Sequence, residues 1–132
     1  MIDVKRKAKP EHKRRKMALA TEEMKEWSAM LQQEIEKWPK VAARPMFGMR
    51  CFYRGKNVFG ALPVTRCIDS SNSFMFKIHP MPPALLKKAD GDDRVSASAA
   101  LKAMKWTLFE MNSARDLNDA LWWLNQAYEK AK

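Results

Sequence analysis

The sequence predicts an α+β fold, an antiparallel sheet of four to five strands with an N-terminal and a C-terminal helix packed on it. Three observations carry that expectation. An apolar stripe with helical spacing runs through residues 21–38. Short β-prone segments broken by turn chemistry follow over residues 41–78, with one more at 106–111. A second helical stripe then occupies residues 117–131. Runs of strands flanked by helices, without a regular βαβ alternation, describe an antiparallel sheet with helices on one side.

In the first helix, Thr21 is a capping residue, and Glu22 and Glu23 suit the positive end of the helix dipole. Met24, Trp27, Leu31, Ile35 and Trp38 recur every three or four residues and form the buried face. Pro39 ends the helix, because the residue before proline is pushed out of the α region.

The stretch Arg44-Pro45-Met46-Phe47-Gly48 reads as a fixed corner leading into a hairpin. Pro45 sets the entry, Met46 and Phe47 are expected in the core, and Gly48 supplies a bend or bulge. On that reading Phe47→Ala would cost about 3–5 kcal/mol. Residues 49–53 and 58–62 form the hairpin strands, joined by Arg54-Gly55-Lys56-Asn57 with glycine where positive φ is cheap. Residues 68–72 read as a loop. The strand over 73–78 puts Phe74, Phe76 and Ile78 on one face, and Pro80, Pro82 and Pro83 end regular pairing. A short helix is expected over 84–89, broken at Gly91, whereas residues 94–104 leave their state open. In the final strand Trp106 and Leu108 alternate with Thr107, Phe109 and Met111. Ser113 and Asp116 then form a capping box for the last helix, whose stripe is Leu117, Ala120, Leu121, Leu124, Ala127, Tyr128 and Ala131.

The chain of 132 residues holds one domain, residues 17–132, preceded by a basic arm over residues 1–16. The arm carries Lys5, Arg6, Lys7, Lys9, Lys13, Arg14, Arg15 and Lys16 against Asp3 and Glu11, or +6 of the net +10. With almost no large apolar side chains it cannot offset its ordering entropy, so it is expected to be mobile. No apolar run approaches the roughly 20 residues of a membrane span, and the N-terminus lacks the apolar stretch of a secretory signal. A cytoplasmic protein with two reduced thiols, Cys51 and Cys67, is the expectation.

Three surfaces stand out as candidate sites. Lysines and arginines of the arm would neutralise phosphates of DNA or RNA and release counterions, the alternative being a solubilising tail. Arg50, Arg54 and Lys56, with Arg44 and Arg66, cluster around the hairpin beside Phe52 and Tyr53, as either a nucleic-acid face or a solvated polar one. At 100° per residue, a stripe centred on Leu121, Leu124 and Tyr128 leaves Trp122 nearly opposite and Trp123 on the flank. Both tryptophans are candidate anchors for a homodimer or partner contact, unless the arm or the first helix covers them. No metal set emerges, since Cys51, Cys67, His79 and His12 lack metal-ligand spacing. Asp90, Asp92 and Asp93 around Gly91 lack the closing glutamate of an EF-hand and read as a turn. There is no phosphate-cradling glycine loop, no serine with a visible partnering histidine, and no cofactor motif. A non-enzymatic protein is expected, with no catalytic residue to name.

Met46-Phe47-Gly48, the aromatic pair Phe52-Tyr53, Gly55-Lys56 and Val58-Phe59-Gly60-Ala61 together resemble the TfoX N-terminal domain, and Phe76-Lys77-Ile78 matches its later strand. Trp106-Thr107-Leu108, with a helix closing on Ala127-Tyr128, is similar to the ending of the related MmcQ/YjbR group. The resemblance covers roughly residues 22–130. It departs from the pattern at Met49, where a second glycine is typical, and the basic arm belongs to neither family. What it implies is a small α+β fold, no established active site, and an association with DNA-uptake regulation or nucleic-acid binding.

Overall fold

A computed structural model describes residues 17–132, and the arm over residues 1–16 lies outside them. In chain order the elements are β1 (Met17–Leu19), α1 (Glu22–Ile35), β2 (Val41–Met46), β3 (Met49–Arg54), β4 (Asn57–Pro63), β5 (Arg66–Ile68) and β6 (Ser73–Phe76). Then follow α2 (Pro83–Asp90), β7 (Val95–Ser96), α3 (Ala99–Ala103), β8 (Thr107–Glu110), a 3-10 turn (Ala114–Asp116) and α4 (Leu117–Lys130). Six strands form one antiparallel sheet in the order β2-β3-β4-β6-β8-β7, and β1 pairs with β5 in a second sheet of two.

The α+β class stands, and the strand count is corrected upward. Arg44 and Pro45 dilute the β signal of β2, yet β2 is an edge strand, where a proline leaves the ladder intact. The segment read as a loop from Ile68 is in part β5, which exists because Met17–Leu19 pairs with it. β7 is only two residues long, held against Leu108 and Phe109 of β8.

One face of the large sheet carries the main core. α1 contributes Met24, Trp27, Leu31 and Ile35, and the sheet contributes Phe52, Phe59, Leu62, Phe74, Phe76 and Phe109. From α4 come Ala120, Trp123, Leu124, Ala127 and Tyr128. The Thr21 hydroxyl accepts from the Met24 N–H at 3.0 Å, as its capping role requires. α1 ends three residues before Trp38, which still packs on Phe59 and Tyr128 with ring centroids at 6.2 and 5.0 Å. The Ser113–Asp116 capping box is formed, and it heads the 3-10 turn that leads into α4. Gly60 faces this core, where an added Cβ would stand 2.9 Å from Leu124 Cδ2. On the other face Met49, Cys51, Ala61, Ile68, Met75, Leu101, Trp106 and Leu108 form a smaller cluster, closed partly by α3. Not every helix therefore lies on one side of the sheet.

Phe47 is the clearest correction in the hairpin. It is 80% exposed and not in the core, and Gly48 is a turn residue and not a bulge. Met46 pairs with Met49, so Phe47 and Gly48 are the two central residues of a tight turn, with φ of 45° and 82°. Two-residue hairpins with positive φ at both positions suit Asn-Gly, because their twist matches that of the strands. The tight turn ejects Phe47 from both faces of the sheet, which alternation along the strand could not show. Phe47→Asn should therefore stabilise the fold by about 0.5–1 kcal/mol by relieving left-handed strain. Denaturant unfolding checks this, and a loss of several kcal/mol would restore the buried reading.

Candidate nucleic-acid interface

Strand alternation divides the hairpin arginines. Arg44 lies opposite Cys51 on the face away from α1 and α4, and its guanidinium sits 5.4 Å from the Tyr53 ring centroid. Arg50, opposite Pro45, shares a face with buried Phe52 at the rim of the main core. Phe52 is fully buried, so Tyr53 is the aromatic of this pair that the basic face retains.

Arg54 has different work. Its Nη1 donates to the Tyr128 carbonyl at 3.1 Å, its guanidinium lies 4.1 Å over the Tyr128 ring, and Glu129 is 3.9 Å away. A cation placed on the last turn of α4 adds a second donor to a carbonyl that already accepts from the Ala131 N–H, and it suits the negative end of the helix. Arg54 thus ties the hairpin to α4, and among the described residues Arg44, Arg50, Lys56 and Arg66 of the cluster have no carboxylate partner at ion-pair distance.

Lys56 enters a site that sequence spacing did not reveal. A cleft of about 430 Å³ is lined by Lys56, Asn57 and Val58 of the β3–β4 hairpin, Lys77 and His79 after β6, and Lys130 and Ala131 at the end of α4. Among the described residues its ionisable lining is three lysines and one histidine, with no carboxylate. Asn57 Nδ2 donates to the Ala131 carbonyl at 2.8 Å and holds hairpin and helix end together. Lys77 follows Phe76 and so faces away from the main core, where its ammonium stands 4.9 Å over the Trp106 ring. These lysines come from three elements far apart in the chain, so no motif could have grouped them. A neighbouring cleft of about 400 Å³ shares His79 and is floored by Ile78, Met81 and Trp106, but mixes Lys102 and Lys105 with Asp90.

The charge pattern reinforces the cleft. From residue 37 to residue 68 the chain holds seven bases, Lys37, Lys40, Arg44, Arg50, Arg54, Lys56 and Arg66, and no acid. Lys37 and Arg54 meet Glu34 and Glu129 from outside this run, and the bases that remain favour the approach of a polyanion.

Of the tryptophan pair, only Trp122 is at the surface. Trp123 is 1% exposed, stacked on Phe76 at 5.2 Å and met edge-on by Trp122 at 5.0 Å, so it cannot anchor a partner. The buried face of α4 is Ala120, Trp123, Leu124, Ala127, Tyr128 and Ala131, with Leu117 and Leu121 at its margin. The buried face is thus turned by part of a turn from a stripe centred on Leu121, which brings Trp123 into the core. Trp122 is 38% exposed, with the Lys88 ammonium 5.0 Å over its ring. The arm residues Lys5 to Lys16 lie outside the described residues.

Both cysteines are buried and free, and burial pushes both thiols up, away from the reactive thiolate. Cys51 Sγ lies 3.5 Å from Met46 Sδ. Among the described residues no group of three His, Cys, Asp or Glu side chains is placed to hold a metal ion. Among them, too, no helix is long and apolar enough to cross a membrane. Comparison of the chain with protein-family models, with curated proteins and with solved structures finds no match.

Proposed function

We propose that this protein is a non-enzymatic, TfoX N-terminal-like module that binds nucleic acid by its phosphates, as a regulatory or nucleic-acid-handling protein of the cytoplasm. The observation that carries the reading is the cleft lined by Lys56, Lys77, Lys130 and His79 beside Asn57, Val58 and Ala131, in which every ionisable residue described is a base. Three lysines from separate parts of the chain line one cleft, and the like charge they bring there favours a bound polyanion. The arm, with +6 of the net charge, adds contacts of the same kind. Each neutralised phosphate releases counterions, so affinity should fall steeply with salt.

Fluorescence anisotropy on the full chain across a salt series tests this, with labelled single- and double-stranded DNA and RNA. Replacing Lys56, Lys77 and Lys130 together by alanine should lower the log–log salt slope by about 2–3, at roughly 0.9 per duplex phosphate contact. Replacing Lys13, Arg14, Arg15 and Lys16 should lower it by about 3–4 on the same basis. Absence of binding by the unmodified chain at low salt would overturn the reading. A second reading, a homodimer or partner complex through α4, is favoured by one feature, the exposed indole of Trp122. It predicts concentration-dependent assembly that Trp122→Ala abolishes.

A further inference from the structure

We propose that Phe47 is a stacking platform for an unpaired base, so that the nucleic acid held by this module is single-stranded where it crosses the β2–β3 turn. The proposal rests on the nucleic-acid reading above and names the form of the ligand.

Phe47 combines two properties that folding does not explain. It holds an unfavourable positive φ of 45°, and it is 80% exposed, so neither backbone preference nor burial favours phenylalanine there. Its surroundings suit a base with its phosphates. The Gly48 carbonyl accepts from the N–H groups of Val64, Thr65 and Arg66, and Leu19 pairs with Arg66. Exposed Leu19 and Val64 are thereby brought to the same end of the molecule as Phe47. The Arg66 stem lies against Gly48, where an added Cβ would meet Arg66 Cγ at 2.7 Å, so the Arg66 side chain starts out at this turn. Arg44 and Arg50 leave the two strands on opposite faces just behind it. An exposed aromatic ring at the tip of a hairpin whose strands carry Arg44, over the Tyr53 ring, and Arg50 on the other face, with no acid from residue 37 to 68, matches the chemistry of single-strand sites, in which rings stack on bases and cations follow the backbone. A duplex keeps its base faces covered and offers such a ring nothing to stack on.

The test compares the unmodified full chain with Phe47→Asn and Phe47→Trp. Asparagine suits the turn, so loss of binding cannot be assigned to misfolding, and tryptophan keeps a stacking face. Anisotropy is read with a labelled short single strand and its duplex at one salt concentration, then across a salt series. Phe47→Asn should weaken single-strand binding by about tenfold or more, the size of one lost base stack, with duplex binding and the salt slope unchanged. Phe47→Trp should bind the single strand at least as well as the unmodified chain. Equal single-strand affinity of Phe47→Asn and the unmodified chain would overturn the proposal and leave the phosphate reading standing. Failure of the unmodified chain to bind any nucleic acid would overturn both. A defect of Phe47→Asn seen only in co-sedimentation with phosphatidylserine vesicles would make the turn a lipid contact, and that outcome too rejects the proposal.

Discussion

Trp123→Ala is expected to remove about 3–5 kcal/mol of folding stability, a large fraction of what a domain of this size commands. The indole is 1% exposed and lies between α4 and the sheet, stacked on Phe76. Removing it leaves a cavity walled by Phe76 and its neighbours, which are fixed on strands and cannot collapse inward. Trp122→Ala is the internal control. That ring is 38% exposed and loses mainly its edge contact with Trp123 and the Lys88 ammonium, so about 1 kcal/mol or less is expected. Urea unfolding of the two variants decides the matter. A reversed order, with Trp122→Ala the damaging change, would mean that α4 is rotated by about 100° from the packing described.

The same helix shows what periodicity could and could not supply. Helix, strands and closing helix were legible because their apolar spacings of three to four, or two, residues persist over many positions. The phase of α4 was not, because Leu121 and Trp123 both offer apolar surface, and only the shape of the cavity above Phe76 chooses between them. β1 and β5 were hidden for a related reason. Each is three residues long and exists only through the other, across a gap of more than forty residues. Phe47 misled because a hydrophobic residue beside a glycine looks like a core anchor, whereas a two-residue turn ejects it from both faces of the sheet. The basic cleft is the extreme case. Lys56, Lys77 and Lys130 converge only through the order of the strands and the docking of α4, neither of which leaves a mark on local sequence.

Arg94→Met should cost about 2–4 kcal/mol, and the cost should depend on pH. Arg94 grips Asp92 with two donors, Nε at 2.9 Å and Nη2 at 2.7 Å, and reaches Asp116 at 2.9 Å and Asp119 at 3.0 Å. Its carbonyl accepts from the Glu110 N–H, and its guanidinium lies 4.9 Å over Phe109. One side chain thus joins the loop after α2, the β7–β8 edge and the start of α4. Asp116 meanwhile uses its other oxygen to accept from the N–H groups of Asn112 and Ser113. Asp119 is largely exposed and contributes little; the effect comes from Asp92 and Asp116, whose side chains are mostly covered. Methionine would leave those two carboxylates without their cation. Hydrogen bonds from Arg94 hold the Asp92 carboxyl below the ordinary carboxylate range. A depressed folded-state pKa gives stability that is present above the unfolded value of roughly 4 and is lost as pH falls through the folded value. The gap between the unmodified chain and Arg94→Met should accordingly be full at neutral pH and shrink in acid. Urea unfolding at pH 7 and near pH 2 measures it. An equal gap at both would assign the role of Arg94 to its packing on Phe109. Arg94→Lys keeps the charge but not the two-pronged grip, and should recover only part of the loss at neutral pH.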